Sequence, residues 1–283
     1  MSRLNLLDYP PLELESVAES LGAPRYRGRQ IATWLYAKGA TDIGAMSDLP
    51  REFRAVLSER AEVAVPEIER RTPSQDGSQK LVLRLGDGAR ITHLVYMGMG
   101  EPLANYAATV QSLRILTDPK AFGFSPRRIT VSTVGLVSGI EKLAKENLKV
   151  NLAISLHATS NQIRNRIMPV NKGFAIEELL EACRGFPVAF RQRITFEYVL
   201  LDRVNDSAED ARRLVRLLKG VRAKVNLIPF NDWEGSGFQR PPLQRILAFQ
   251  SILLEAGIRT TVRWSKGEDI GAACGQLKEA LTA

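Results

Sequence analysis

The stretch from Thr92 to Tyr106, THLVYMGMGEPLANY, sets a carboxylate directly behind a glycine-rich turn. An apolar run, Leu94-Val95-Tyr96-Met97, reads as a fully buried parallel strand. It breaks into Gly98-Met99-Gly100-Glu101-Pro102, and a helical pattern begins near Asn105. Two glycines one residue apart let backbone amides approach a ligand closely. The Glu101 carboxylate, at the carboxyl end of the strand, can accept a hydrogen bond from a bound amine. Alone, a Gly-x-Gly-Glu turn is a weak signal; its weight comes from recurrence. Ser132-Thr133, Ser155-Leu156-His157, Glu197 and Pro229-Phe230-Asn231 each stand at the same end of a later strand-like run. Such residues at successive strand ends form a polar ring around one mouth, which a purely structural sheet has less reason to build. Cys274 is the other reactive side chain. Ile270, Cys274, Leu277 and Leu281 fall at helical spacing, as a small core residue would, whereas Gly271 and Gly275 beside it suit close approach of a ligand. Spacing alone favours core for Cys274, and for Cys183 as well.

The elements that must position these residues follow a repeated pattern. Strand-like runs at Leu94–Met97, Ile129–Ser132, Val150–Ser155, Ile194–Leu200, Val225–Pro229 and Thr260–Trp264 alternate with helical patterns. The helices are expected at Ala107–Leu116, Gly139–Glu146, Ile176–Cys183, Ala208–Leu218 and Leu243–Ala256. Repeated βα units predict an α/β fold, a parallel sheet with helices outside, with ligands at the carboxyl ends of the strands. Residues 1–61 read instead as a small helical module: one helix opened by Pro10-Pro11 with a Leu12, Leu14, Val17, Leu21 stripe, a second around Ile31–Tyr36, and a third after Pro50 carrying Phe53, Val56 and Leu57. Residues 62–91 switch to a period of two with Asp-Gly turn signals, a small antiparallel β region. The domain reading is therefore 1–61, 62–91 and 92–283.

Apolar content of 45% and charged content of 25% exclude a fibrous or disordered chain. The start has no apolar signal core and no run approaches a membrane span, so a cytoplasmic protein without membrane partners is expected. Two cysteines make no disulfide scaffold. A net charge of +8 fits either plain solubility or a polyanionic partner. Arg25, Arg27 and Arg29 beside Tyr26 form a basic turn that could track a phosphate backbone, though a solvated helix start is the simpler reading in isolation. Arg127-Arg128, Arg164-Asn165-Arg166, Lys172, Arg191 and Arg193 are read as basic loops near the mouth, and together with the first module they favour a nucleic-acid substrate.

Five ordered motifs, YMGMGEPLANY, RRITVSTVGLV, NLAISLHA with RNRIMPVNK, NLIPFN and GEDIGAACGQL, resemble the radical S-adenosylmethionine RNA methyltransferases of the RlmN type. The resemblance covers nearly the whole chain. It implies a partial (β/α) radical-SAM-type barrel that methylates C2 of an adenine in 23S ribosomal RNA and transfer RNA, with S-adenosyl-L-methionine and a [4Fe-4S] cluster as cofactors. It also implies a separate electron donor and a monomer. Carried over by motif, Gly100 and Glu101 would hold the methionine amino group, while Ser132, Ser155, Leu156, His157 and Asn231 would line the S-adenosylmethionine site. Cys274 would be the catalytic cysteine that carries the methyl group, a role that needs its thiolate.

One departure stands out. The family binds its cluster through a C-x-x-x-C-x-x-C loop after the first barrel strand, and this sequence has none. Three thiolates on one short loop are needed to hold the cluster. The missing stretch, with its strand, belongs at Ile91–Thr92. Two alternatives stay open: the sister activity at adenine C8, and a cluster-less RNA-binding barrel without catalysis.

Overall fold

A computed structural model describes residues 3–64, 70–73, 79–82, 92–97, 100–232 and 236–264. They fall into two compact units, the first drawn from Met1–Arg70, Val82–Ile91 and Tyr106–Pro126, the second from Arg71–Leu81, Thr92–Asn105 and Arg127–Ala283.

In the first unit, β1 (Leu4–Asn5) pairs in parallel with β2 (Ala61–Glu62), a closure the helical reading missed because each strand is only two residues long. Pro11 opens α1 (Pro11–Ser20), whose buried face is Leu14, Val17 and Ala18. Leu12 is 65% exposed. It lies two residues from Leu14, off the i, i+3, i+4 stripe. The segment Tyr26–Arg29 is no turn but the start of α2 (Tyr26–Ala32), which continues as a π-helical turn over Thr33–Ala37. Gly28 is needed there, since a Cβ would stand 2.3 Å from the Glu15 amide nitrogen and the Leu14 carbonyl oxygen of α1. α3 (Arg51–Arg60) buries Phe53 and Leu57 but leaves Val56 exposed. α4 (Tyr106–Thr117) also belongs to this unit: Gln111 Nε2 donates to the Asp8 carbonyl at 2.9 Å. Leu6, Leu14, Ile31, Met46 and Leu57 are fully enclosed, each worth roughly 1.5–3 kcal/mol of burial.

Two short strands, β3 (Arg70–Pro73) and β4 (Gln79–Val82), form a separate two-stranded sheet. The expected alternation at Leu83 and Leu85 lies outside the described residues.

The second unit is built on a parallel sheet of β5 (Leu94–Tyr96), β6 (Ile129–Thr133), β7 (Asn151–Ser155), β8 (Ile194–Leu200), β9 (Ala223–Pro229) and β10 (Arg259–Val262), ordered β10-β9-β8-β7-β6-β5. Each strand lies beside its predecessor in the chain, as successive βα units of a barrel do. The helices are α5 (Val137–Lys145), α6 (Asn161–Ile167), α7 (Ile176–Gly185), α8 (Ala208–Leu217) and α9 (Leu243–Glu255). The six strands and five of the expected helices appear within a few residues of their sequence positions. The short helix α6 was read as a loop, because seven residues with two arginines and two asparagines carry too little apolar periodicity.

Register gives the two faces of this sheet opposite characters. Ile129, Val131, Leu152, Ile154, Ile194, Phe196, Tyr198, Val225 and Leu227 are buried on one face, where the Tyr198 ring meets Phe249 of α9 at 5.3 Å. The alternate residues make the other face: Thr130 and Ser132 on β6, Asn151 and Ser155 on β7, Thr195 and Glu197 on β8, Lys224 and Asn226 on β9, Arg259 and Thr261 on β10. Parallel strands covered on both sides are apolar throughout; here helices cover one side and the strands alternate. The same register corrects the reading of Leu94–Met97 as fully buried. Val95 pairs with Thr130 on the polar face and is 58% exposed, and β5 is the last strand of the sheet among the described residues.

Candidate active site at the carboxyl ends of the strands

Gly100 takes φ +86°, a conformation open to glycine, and turns the chain so that Glu101 faces the end of β6. Both carboxylate oxygens of Glu101 are used: Oε1 accepts the Leu103 amide at 3.0 Å and Oε2 the Val134 amide at 2.8 Å. The carboxylate thus ties the end of β5 to the end of β6, and its remaining lone pairs are free to meet an amine. Gly139 on α5 makes room for this loop, since a Cβ there would stand 2.7 Å from Leu103 Cβ. Ser132 lies on the polar face of β6, in register with Ala153.

After β7 the chain presents Ser155, Leu156 and His157. Ser155 is in register with Glu197. Leu156 has a fully buried side chain, and its contribution is backbone: its amide donates to the Glu197 carbonyl at 3.1 Å. His157 adopts φ +56°, and its Nδ1 accepts the Val199 amide at 3.1 Å. With Nδ1 an acceptor, the neutral ring carries its proton on Nε2. Burial, aided by the nearby Arg164 charge, lowers the imidazole pKa to about 4, so the ring is neutral at pH 7. Asn231, two residues past β9, is buried and accepts from Arg240 Nη2 at 2.8 Å.

Three residues hold this end together that no motif pointed to as site residues. Arg164 on α6 is 0% exposed and faces no carboxylate. Its guanidinium instead donates to the carbonyls of Leu156 (3.1 Å), Val134 (2.7 Å) and Ser155 (3.1 Å) and to Asn171 Oδ1 (2.8 Å). Desolvation lowers its pKa to about 10, still charged at neutral pH. This corrects the reading of Arg164 as a basic surface loop. Asn205, also fully buried, donates from Nδ2 to the carbonyls of His157 and Val199, both at 2.7 Å, and accepts the Leu201 amide at 2.8 Å. Glu197 is the third, a carboxylate on the polar face that accepts Asn226 Nδ2 at 3.0 Å. The signal for all three was the presence of charged or amide residues inside otherwise buried stretches.

Arg127-Arg128 and Arg191-Arg193 need a further correction. They precede β6 and β8, and in a parallel sheet residues before the strands lie at the end opposite the mouth. Cys274 lies outside the described residues. Cys183 is core, with burial pushing its thiol up to about 12. Among the described residues no helix is long and apolar enough to cross a membrane.

A one-layer parallel sheet with a polar face and ligand-ready turns at its carboxyl end defines a (β/α)-type enzyme of nucleoside chemistry. Its resemblance to solved and curated proteins is specific. Residues 4–63 match the family described as the ribosomal RNA large subunit methyltransferase N-terminal domain. The chain is 40% identical to the probable dual-specificity RNA methyltransferase RlmN of Moorella thermoacetica, over 99% of this chain and 98% of that one. It is 38% identical to the dual-specificity RNA methyltransferase RlmN of Syntrophotalea carbinolica, over 99% and 91%. The crystal structure of a radical SAM methyltransferase from Sphaerobacter thermophilus superposes with a TM-score of 0.83 at 36% identity, covering 96% of this chain and 98% of that one. The chain belongs to the RlmN family of radical SAM RNA methyltransferases.

The family's cofactors are S-adenosylmethionine and a [4Fe-4S] cluster, and the residues present fit them unequally. A polar sheet face, the Glu101 turn and a buried carboxylate oxygen on Glu197 without a hydrogen-bond partner among the described residues suit a ligand rich in hydrogen-bond donors. The cluster is another matter. The sequence has two cysteines, 91 positions apart (274 − 183), against the three thiolates of one short loop. Among the described residues no group of three His, Cys, Asp or Glu could hold a metal ion. This chain's residues therefore do not fit the cluster. The alignment with the Moorella relative runs over 347 positions against 283 residues here, so at least 64 positions (347 − 283) of that relative face no residue of this chain. Ile91, at the junction where the sequence places the omission, lies outside the described residues.

Proposed function

We propose that this chain binds S-adenosylmethionine at the carboxyl ends of β5 to β9 and serves methylation of C2 of adenine in 23S ribosomal RNA and transfer RNA. The observation that carries the reading is the convergence of Glu101, Ser155 and His157 on one end of the sheet, each fixed by a backbone or register partner. Bound S-adenosylmethionine supplies a methyl group on a sulfonium. Glu101 receives the amino group, with Gly100 allowing the approach. Ser132, Ser155, the Leu156 backbone, the Nε2–H of His157 and Asn231 line the remainder. Cys274 is the acceptor thiol: its thiolate displaces S-adenosylhomocysteine from the methyl carbon and becomes a thioether. The protein acts as a monomer in the cytoplasm, with electrons supplied by a separate donor.

The test uses the chain completed with a relative's cluster segment, expressed in cells lacking their own enzyme of this family. Mass mapping of ribosomal and transfer RNA should find 2-methyladenine, and Cys274→Ala should abolish it. Methylation at C8 instead, or full turnover by Cys274→Ala, overturns the reading. Because this chain holds two cysteines, a second reading applies to it as it stands: binding of nucleoside and RNA without turnover.

A further inference from the structure

Glu197 sits in the middle of β8 with a side chain 4% exposed, on the polar face opposite the ring of Tyr198. Register aligns it with Ser155 on one side and Asn226 on the other, and Asn226 with Thr261, so one polar row crosses four strands. Two of its links are hydrogen bonds: Asn226 Nδ2 donates to Glu197 Oε1 at 3.0 Å, and Thr261 Oγ1 donates to Asn226 Oδ1 at 2.7 Å. Oε2 has no partner among the described residues although the atom is buried. A buried acceptor left unsatisfied is costly, and the cost is recovered when a ligand supplies the donor.

The surrounding charge selects the kind of donor. Arg263 Nη1 stands 3.8 Å from Glu197 Oε1, and Lys224 lies on the same face of β9 two residues before Asn226. An ammonium entering this corner would meet both cations; a hydroxyl would not. The row also sets the Ser155 hydroxyl on the strand next to the free oxygen, about 4.8 Å away in strand spacing. A carboxylate that accepts and a serine that both accepts and donates suit two neighbouring hydroxyls. The amino group, by contrast, has Glu101. We infer that Glu197 Oε2 is the acceptor for the ribose hydroxyls of the bound nucleoside. This deepens the S-adenosylmethionine reading above and rests on it.

The experiment is calorimetric titration of this chain with 5′-methylthioadenosine and with its 2′,3′-dideoxy analogue. Hydrogen bonds to a charged acceptor predict a preference for the ribonucleoside of roughly 10- to 100-fold. In Glu197→Gln most of that preference should vanish, with no fall in the thermal midpoint, since the change removes an incompletely paired buried charge at constant shape. Equal affinity of the wild-type chain for both probes overturns the assignment without any variant, as does an undiminished preference in Glu197→Gln. Absence of binding of either probe to the wild-type chain overturns the nucleoside-site reading and this assignment with it.

Discussion

Asn205 Nδ2 donates to the backbone carbonyl of His157 at 2.7 Å across 48 residues of sequence, joining the turn after β7 to the turn after β8. The same amide group satisfies Val199 and Leu201, so three buried backbone groups depend on one side chain. Asn205→Ala leaves all three unpaired. With each buried polar group worth about 1–3 kcal/mol, a loss of about 3 kcal/mol or more is expected in urea unfolding. Asn205→Asp should fare no better, because it turns an oxygen towards two carbonyls.

The imidazole of His157 makes stability depend on pH. Its folded pKa, about 4, lies below the ordinary value of 6.5, so the unfolded chain binds more protons between those values. The contribution is complete above pH 6.5 and is lost as pH falls towards 4, up to roughly 3 kcal/mol. Unfolding curves at pH 7 and pH 4.5 measure it. The pH slope should flatten in His157→Gln.

Arg164 is a buried cation whose partners are carbonyls and an amide oxygen. Arg164→Lys brings its donors to a single nitrogen and cannot reach Leu156, Val134, Ser155 and Asn171 together. A destabilisation of about 3–5 kcal/mol is expected. The Val134 residue it anchors also donates to Glu101, so nucleoside affinity should fall even where the variant is fully folded.

Gly28→Ala addresses the first unit alone. The added methyl overlaps backbone atoms of α1, which cannot rotate away, so α1 and α2 must separate. Overpacking of this kind costs about 1–3 kcal/mol, read as a fall in thermal midpoint.

RNA recognition by the first unit is tested by charge reversal. Arg25 and Arg29 both lie 3.6 Å from Glu15 and are largely exposed, pairs of little energetic weight that leave the cations available to phosphate. Arg27 Nη1 donates to Gln30 at 2.7 Å, which directs it along the helix. Arg25→Glu with Arg27→Glu should weaken RNA binding and reduce the salt slope by roughly 0.7–0.9 for each lost contact. Unchanged affinity and slope would confine recognition to the second unit.

Much of this architecture is legible in the sequence because βα alternation writes itself in two periods. Strands such as Ile129–Thr133 and helices such as Leu243–Glu255 fall where their patterns place them. Glu101, Ser155 and His157 are legible as strand-end residues for the same reason. Arg164 and Asn205 are not. Their significance lies in carbonyls they reach eight to 48 residues away, and composition records an arginine or asparagine in a polar stretch, not its burial. The basic stretches misled in another way: a side chain before a parallel strand and one after it look alike in sequence but stand at opposite ends of the sheet.

The alternation within single strands has a consequence for how such a protein can change over time. On β8, Phe196 and Tyr198 face the helices while Thr195 and Glu197 face the ligand side, so neighbouring codons answer to different selective pressures. Drift on the apolar side is limited by volume and can proceed without altering what is recognised. Drift on the polar side alters recognition while leaving the helix contacts intact. A lineage built this way can acquire a new substrate preference in single steps, each tested by function before stability is put at risk.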